Sequence, residues 1–199
     1  SIVCLDLEGV LIPEIWIEFA EETGIEELRL TTKDEPDYDK LMKRRLQILK
    51  ENNYGINEIQ KVIECVEPYK GAKEFLDELR TFTQVLILSD TYKEFGIPVM
   101  KKLGSPTLFC HELEIAENGE ITDYKLRKNG TKLETVKALQ SVGFETIAAG
   151  DSYNDLGMIK ASKAGFLFRS PDRIKNENQD VQTVESYEEL LEEIKRITL

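Results

Sequence analysis

Short apolar runs alternate along this chain with longer segments in which apolar residues recur at helical spacing. The runs are about four residues long and lie at 2–5, 85–88, 146–149, 165–168 and, more weakly, 181–184. Runs of this length between helices are typical of strands that are buried on both faces of a parallel sheet. The alternation therefore predicts an α/β fold, a Rossmann-like open parallel sheet with helices on both faces.

Helical periodicity fills the segments between these runs, most clearly at 72–79, 132–139 and 187–197. Between residues 14 and 68 the same spacing recurs with no convincing strand. We therefore predict a small helical cap domain at 14–68, inserted into a core domain formed by 1–13 and 69–199. A second irregular stretch contains Asn118-Gly119 between alternating segments, which predicts a β-hairpin.

Charge and hydropathy exclude several classes of protein. The chain has 199 residues, and its 26 Lys and Arg against 38 Asp and Glu give a net charge of −12. A strongly acidic surface has no long-range attraction for nucleic acid or for an anionic membrane, so we expect neither partner. No apolar run approaches the roughly 20 residues of a membrane span, and the first residues carry no signal-peptide pattern. We therefore expect a cytoplasmic protein.

Cysteine and histidine chemistry is also disfavoured. The three cysteines, Cys4, Cys65 and Cys110, are far apart and odd in number, which fits reduced thiols better than a disulfide framework. His111 is the only histidine, so a zinc site or a Ser-His pair would depend on this one residue. We predict that His111 is a loop or strand-end residue.

Polar side chains follow three of the predicted strands at the point where each strand ends. Asp6 and Glu8 follow the first, Ser89 the second, and Asp151 and Asp155 the third. Each is a common type of helix cap, but the carboxyl ends of parallel strands share one edge of the sheet, where ligands bind. Converging carboxylates repel one another unless a cation lies among them, and oxygen ligands favour a hard cation. The pattern predicts a site in which these carboxylates and a substrate phosphate together coordinate Mg²⁺.

These residues resemble the four motifs of the haloacid dehalogenase superfamily, in the same order. The motifs are Asp6-x-Glu8-Gly9-Val10, Ser89, Lys132 and Gly150-Asp151-x-x-x-Asp155. The predicted helical insertion resembles the cap of the phosphoserine phosphatase branch. Most of the superfamily carries Asp where this chain has Glu8. Glu8, together with the sequences of segments 13–16 and 36–43, resembles a bifunctional bacterial subgroup. Its members combine phosphoserine phosphatase and homoserine phosphotransferase activities.

The resemblance implies a role for each core residue. Asp6 is expected to be the nucleophile, and Glu8 the general acid and base. The ligands of Mg²⁺ are expected to be Asp6, the backbone carbonyl of Glu8, and Asp151. Ser89 and Lys132 are expected to hold the phosphoryl oxygens, with Lys128 as a nearby competitor for the role of Lys132.

The remaining predicted contacts concern the substrate. By the resemblance, Asn154 and Asp90 are substrate-binding, and Asp155 braces the site from behind the ligands. Glu14 is expected to pair with a substrate ammonium group and Arg45 with a substrate carboxylate. The expected substrate is a small phosphorylated amino acid, with homoserine as a possible phosphoryl acceptor, and the subgroup suggests a homodimer. Two other functions remain open: a broad-range phosphatase of small metabolites, and a phospho-acceptor signalling module.

Overall fold

A seven-stranded sheet forms the centre of the molecule. The computed structural model describes residues 1–31, 34–35, 37–127 and 131–199, which leaves Pro36 and Lys128 outside the described residues. The sheet order in that part of the chain is β4-β3-β2-β1-β5-β6-β7, and every neighbouring pair is parallel except β3 and β4. The predicted α/β fold is confirmed. The strands are β1 Ile2–Leu5, β2 Gln84–Tyr92, β3 Thr107–Ile115, β4 Ile121–Lys125, β5 Thr146–Gly150, β6 Ala164–Phe168 and β7 Gln182–Val184.

Helices follow the strands and also form one insertion after β1. The helical insertion consists of α1 Ile15–Thr23, a 3₁₀ turn at Glu26–Arg29, α2 Tyr38–Glu51 and α3 Ile56–Ile63. Beside the sheet lie α4 Ala72–Leu79, α5 Lys93–Lys102, α6 Thr131–Ser141, α7 Leu156–Ala161, α8 Asp172–Glu177 and α9 Tyr187–Thr198. None of the helices in the described ranges has the length and apolar character needed to cross a bilayer.

Helix α5 was not predicted, and its composition explains why. Gly96 and Pro98 lie within it, and both residue types are unfavourable inside a helix. A Cβ atom at position 96 would lie 2.7 Å from Cδ2 of Leu108, so glycine lets α5 pack directly against β3. Tertiary packing therefore overrides a weak helix propensity here.

The sheet is buried on both faces, as the apolar runs predict. Side chains alternate across each strand, so Val3 and Leu5 of β1 join one apolar cluster and Cys4 joins the other. The first cluster extends through α4 and α9 into the helical insertion, and the second is closed by residues of α6 and α7.

The helical insertion leaves and rejoins the sheet at one place. The backbone N–H of Tyr69 donates to the carbonyl of Leu11 at 2.9 Å, which ties the returning chain to the departing chain. All three helices of the insertion lie within 14–68. The division of the chain into a core and a cap domain at those boundaries stays a prediction.

The predicted hairpin at Asn118-Gly119 joins β3 to β4, and Gly119 takes a positive φ of 86° in the turn. The hairpin touches the helical insertion. The N–H of Ile56 donates to the carbonyl of Gly119 at 2.9 Å, and Nζ of Lys50 lies 2.8 Å from Oε1 of Glu120. The Tyr124 hydroxyl also donates to Asp39 at 2.7 Å. The insertion is therefore held by the sheet side of the molecule at its far end as well as at its root.

The C-terminal helix supports the loop that follows β1. Tyr187 of α9 is stacked between Phe75 and Phe168, with ring centroids 5.1 and 5.0 Å away. Its hydroxyl donates to the buried backbone carbonyl of Val10 at 2.6 Å. Val10 lies four residues after Asp6, so this hydrogen bond fixes the far end of the loop that bears the predicted catalytic residues.

Tyr187→Phe should therefore lower the free energy of unfolding by about 1–2 kcal/mol, because it keeps the stacking and leaves a buried carbonyl without its donor. Urea unfolding followed by circular dichroism measures the change. Tyr153→Phe is the control: Tyr153 is exposed, its hydroxyl donates to Glu177 at 2.6 Å, and we expect a change below about 0.5 kcal/mol. Equal losses in the two variants would contradict a special role for Tyr187.

Candidate active site

A cleft of about 640 Å³ opens at the carboxyl ends of the strands, between the sheet and the helical insertion. The predicted site residues that line it are Asp6, Glu8, Glu14, Arg45, Ser89, Asp90, Lys132, Asp151 and Asn154. Asp155 lies behind the cleft wall and is fully buried. Leu5 of β1 pairs with Ile87 of β2 and with Ala149 of β5, which places the three strand ends side by side.

Asp6 follows β1 and is held at one oxygen. Its Oδ1 accepts hydrogen bonds from the backbone N–H of Leu7 and lies 2.8 Å from Nζ of Lys132. Its own N–H donates to the carbonyl of Ala149, so the loop begins as a continuation of the sheet. Within the described residues, Oδ2 carries no hydrogen bond and is free to face a ligand.

Lys132 and Asp155 form the charged base of the site. The Lys132 ammonium lies 2.7 Å from Oδ1 of Asp155 and bridges it to Asp6. The other oxygen of Asp155 accepts from the backbone N–H groups of Asp151 and Ser152, and from the Ser152 hydroxyl. Gly150 makes room for this arrangement, because a Cβ atom there would lie 2.3 Å from Cγ of Asp155.

Three carboxylates could hold a metal ion. Oxygen atoms of Asp6, Asp151 and Asp155 lie within 4.8 Å of one another. Burial raises the pKa of Asp151 to about 7, and the charges of Asp155 and Glu14 add to the rise. Burial and the charge of Asp155 also raise the pKa of Asp6, against the opposing effect of Lys132. Lys132 therefore does not neutralise the cluster fully, and an all-oxygen donor set of this charge fits a hard divalent cation.

Glu8 faces the helical insertion. Its Oε2 accepts a hydrogen bond from the N–H of Ile15, the first residue of α1, at 3.4 Å. Burial raises the pKa of the Glu8 carboxyl well above its usual range, and the charge of the neighbouring Glu14 raises it further. A hydrogen bond from Thr91 opposes that rise. Burial and Glu14 thus both act to favour the protonated form of Glu8.

Ser89 and Asn154 present polar groups from β2 and from the turn after β5. Oγ of Ser89 accepts from the N–H of Thr91 at 3.1 Å, which leaves the hydroxyl proton available to a ligand. Nδ2 of Asn154 donates to Asp90 at 2.7 Å. Both residues line the cleft, as Lys132 does.

Arg45 reaches the cleft from α2 and is almost fully buried. Its guanidinium lies 4.4 Å above the ring of Trp16, and Nη2 donates to the carbonyl of Leu30 at 2.7 Å. Its Nε has no hydrogen-bond partner among the residues that the structure describes. A buried cation with an unsatisfied donor at a cleft is suited to an anionic ligand, because the unmet donor is costly until a ligand accepts it.

Sequence patterns did not identify every residue of the cleft lining, and His111 and Thr91 are two of those missed. His111 was predicted to be a loop or strand-end residue, but it lies in the middle of β3 and is buried. The prediction was wrong because the apolar run of β3 is only three residues long, 108–110, and polar residues alternate with apolar ones beyond His111 along a partly exposed strand. Thr91 lies two residues beyond Ser89 on β2, and its own residue type matches none of the motifs.

Comparisons with known proteins give a consistent result. Residues 1–163 match the haloacid dehalogenase-like hydrolase family. "Phosphoserine phosphatase ThrH" of Pseudomonas aeruginosa is 50% identical over 97% of this chain and 94% of its own length. A phosphoserine phosphatase of Pseudomonas syringae is 51% identical over 97% of this chain and 81% of its own length. A solved structure of an apo phosphoserine phosphatase is 25% identical, covers 94% of each chain and has a TM-score of 0.76.

The contact between Gly9 and the acidic cluster yields a prediction. A Cβ atom at Gly9 would lie 2.4–2.7 Å from the Asp151 carboxylate. Gly9→Ala should therefore displace this carboxylate and weaken divalent-cation binding at least about tenfold, since misplacing one ligand disturbs the whole site. Calorimetric titration with Mg²⁺ or Mn²⁺ measures the loss.

Gly143→Ala is the matched control. Gly143 also has a positive φ, 95° against 79° for Gly9, but nothing lies within 4 Å of the added methyl group. Both variants should lose similar stability from the strained backbone. If cation affinity falls equally in the two, the effect comes from that strain, and the close approach of Gly9 to Asp151 has no part in it.

Proposed function

The chain belongs to the haloacid dehalogenase-like hydrolases, and on that premise we propose that it is a Mg²⁺-dependent phosphatase of O-phosphoserine. We further propose that it passes the phosphoryl group to homoserine when that alcohol is present. The observation that carries the proposal is the joint position of Asp6, Lys132 and Arg45. Asp6 and the buried cation Lys132 line the cleft from the sheet side, and the buried cation Arg45 lines it from the helical insertion. The 50% identical relative is named a phosphoserine phosphatase.

Asp6 performs the first chemical step in this mechanism. Its free oxygen, Oδ2, attacks phosphorus, and the bond between phosphorus and the serine oxygen breaks as the aspartyl-phosphate forms. The protonated Glu8 carboxyl gives its proton to the departing serine oxygen. The raised pKa of Glu8 supports this role, because an ordinary glutamate would be ionised at neutral pH.

Positive charge and hydrogen-bond donors stabilise the phosphoryl group during transfer. When bound between Asp6, Asp151 and the backbone carbonyl of Glu8, Mg²⁺ would polarise the phosphoryl oxygens and offset their charge. In the proposed mechanism, the Ser89 hydroxyl and the third N–H bond of Lys132 donate to the same oxygens. Transfer of a phosphoryl group depends mainly on such positioning and charge stabilisation.

The second step returns Asp6 to its starting form. Glu8, now ionised, takes a proton from water or from the homoserine hydroxyl, whose oxygen attacks the aspartyl-phosphate. The bond between phosphorus and Asp6 breaks, and the product is either inorganic phosphate or phosphohomoserine. Serine and homoserine both carry an ammonium and a carboxylate group, so one binding site serves donor and acceptor.

Arg45 and Glu14 recognise those two groups from the helical insertion. We assign Arg45 to the substrate carboxylate, because its buried guanidinium packs against Trp16 and has an unsatisfied Nε among the described residues. Glu14 precedes α1 and borders the cleft, where its carboxylate attracts an ammonium group. A broad-range phosphatase has no need of a buried arginine in the wall of the same cleft as the nucleophile. A phospho-acceptor signalling module has no need of an insertion that covers the acceptor.

A product assay tests the proposal. With Mg²⁺, the protein should release phosphate from O-phosphoserine, and added homoserine should divert part of it to phosphohomoserine, as seen by ³¹P NMR. Asp6→Asn should abolish both reactions, because it removes the nucleophile and a metal ligand together. Beryllium fluoride should bind at Asp6 as an aspartyl-phosphate mimic. Activity that persists in Asp6→Asn, with deamidation excluded by mass spectrometry, would remove Asp6 from the covalent role.

Arg45→Ala separates an amino-acid phosphatase from a broad-range one. Loss of a charged contact in a desolvated pocket should lower kcat/KM on O-phosphoserine by about a hundredfold or more. Hydrolysis of an aryl phosphate, which has no carboxylate, should change little. Arg44→Ala is the control on the adjacent, exposed position of α2 and should leave both substrates unaffected. Equal losses on both substrates for Arg45→Ala would mean that Arg45 supports the insertion and does not select the substrate.

A further inference from the structure

Asp90 stands beside the phosphoryl site with a charge of the wrong sign to bind it. Its Oδ2 accepts a hydrogen bond from Nδ2 of Asn154 at 2.7 Å and lies 3.9 Å from Nζ of Lys132. Its Oδ1 lies 3.6 Å from Nε2 of His111. Although burial opposes it, the contact with His111 and the charge of Lys132 hold the pKa of Asp90 well below its usual range. Asp90 is thus an ionised carboxylate. Its partners Asn154, His111 and Lys132 are all hydrogen-bond donors that line the cleft.

The Asn154 amide is held at both ends. Its Oδ1 and Oδ2 of Asp155 share the single proton of the Ser152 hydroxyl, and its Nδ2 donates one proton to Asp90. An amide side chain can rotate to exchange its oxygen and nitrogen, but here that rotation would set Oδ1 against the Asp90 carboxylate. The second N–H of Nδ2 is therefore kept available on the cleft side, where Asn154 is exposed.

His111 is in turn held by backbone. Its Nδ1 accepts a hydrogen bond from the N–H of Arg127 at 3.1 Å, so the neutral ring carries its proton on Nε2. That proton points toward Asp90. Because His111 lies within β3 and is 4% exposed, the ring has little freedom to turn away.

We propose that Asp90 and His111 are positioning residues that fix the Asn154 amide with its donor toward the phosphoryl group. The inference rests on the proposed function, since it assigns the Asn154 donor to the phosphoryl group of that reaction. It also changes the expected part of Asp90: the carboxylate acts through Asn154, and the substrate need not touch it. Lys132 is the rival route, because it too lies near Asp90.

A double-mutant cycle distinguishes the two routes. Asp90→Ala and Asn154→Ala should each lower kcat on O-phosphoserine by about ten- to a hundredfold, the usual effect of losing a hydrogen bond to a charged group. The double variant should be no worse than Asn154→Ala alone. If the two losses multiply, Asp90 acts through Lys132 or through the fold, and the proposal is overturned.

Conservative replacements test the same chain of contacts. Asp90→Asn keeps an oxygen that can accept from Asn154, and His111→Gln keeps an acceptor for Arg127 and a donor for Asp90. Each should recover most of the kcat that Asp90→Ala and His111→Leu lose. A His111→Gln variant as impaired as His111→Leu, with an unchanged melting temperature, would remove His111 from the proposal. Asp180→Ala removes an exposed acid paired with Lys160 at 3.2 Å and should leave kcat unchanged.

Binding of inorganic phosphate in the presence of Mg²⁺ keeps this test separate from the proposed function. Calorimetry should show the same non-additive loss of phosphate affinity across the Asp90 and Asn154 variants. If the unmutated protein fails to hydrolyse O-phosphoserine, the proposed substrate is wrong, while the phosphate titrations still decide the role of Asp90. Independent losses of phosphate affinity would overturn the positioning role even in a protein that hydrolyses O-phosphoserine.

Discussion

The ammonium group of Lys132 is the interaction on which the site depends. It lies within 2.8 Å of both Asp6 and Asp155, and all three side chains are buried. Although burial opposes it, the charges of Asp155 and Asp6 hold the pKa of Lys132 above its usual range, so the buried ammonium depends on the two carboxylates. One cation among three acidic strand-end residues still leaves an excess of negative charge. That excess gives the cleft its affinity for a divalent cation in the proposed mechanism.

The strongly acidic chain and the proposed anionic substrate would repel each other at long range. Two positive charges in the cleft offset this repulsion at short range, Lys132 on the sheet side and Arg45 on the side of the helical insertion. Both cations are buried, where charges interact more strongly than they do in water. A proposed substrate with a phosphate at one end and a carboxylate at the other fits a cleft whose two cations lie on different walls.

Much of this arrangement follows from the sequence. Asp6, Ser89 and Asp151 could be brought together on paper because each follows an apolar run, and parallel strands end at one edge. The helices of the insertion could be predicted from their periodicity. Three features could not. Strand β3 is partly exposed and has an apolar run of only three residues, so the place of His111 was missed. Helix α5 was missed because Gly96 and Pro98 lower its helix propensity. The contact of Glu8 with Glu14 depends on how the insertion folds back, which no local pattern encodes.

The hydrogen bond from Tyr69 to Leu11 has a consequence for how such a molecule can change over evolution. The helical insertion leaves and rejoins the core at one point, so the positions of the two chain ends at that point do not depend on the length of the chain between them. A different set of helices could occupy that position and leave the register of β1, β2 and β5 unchanged, if it replaced the contacts of the present insertion with the β3–β4 hairpin and with Glu8. In the proposed mechanism, the residues of the chemical steps and those that select the substrate then lie in different segments of the chain, so that one set can diversify while the other is retained.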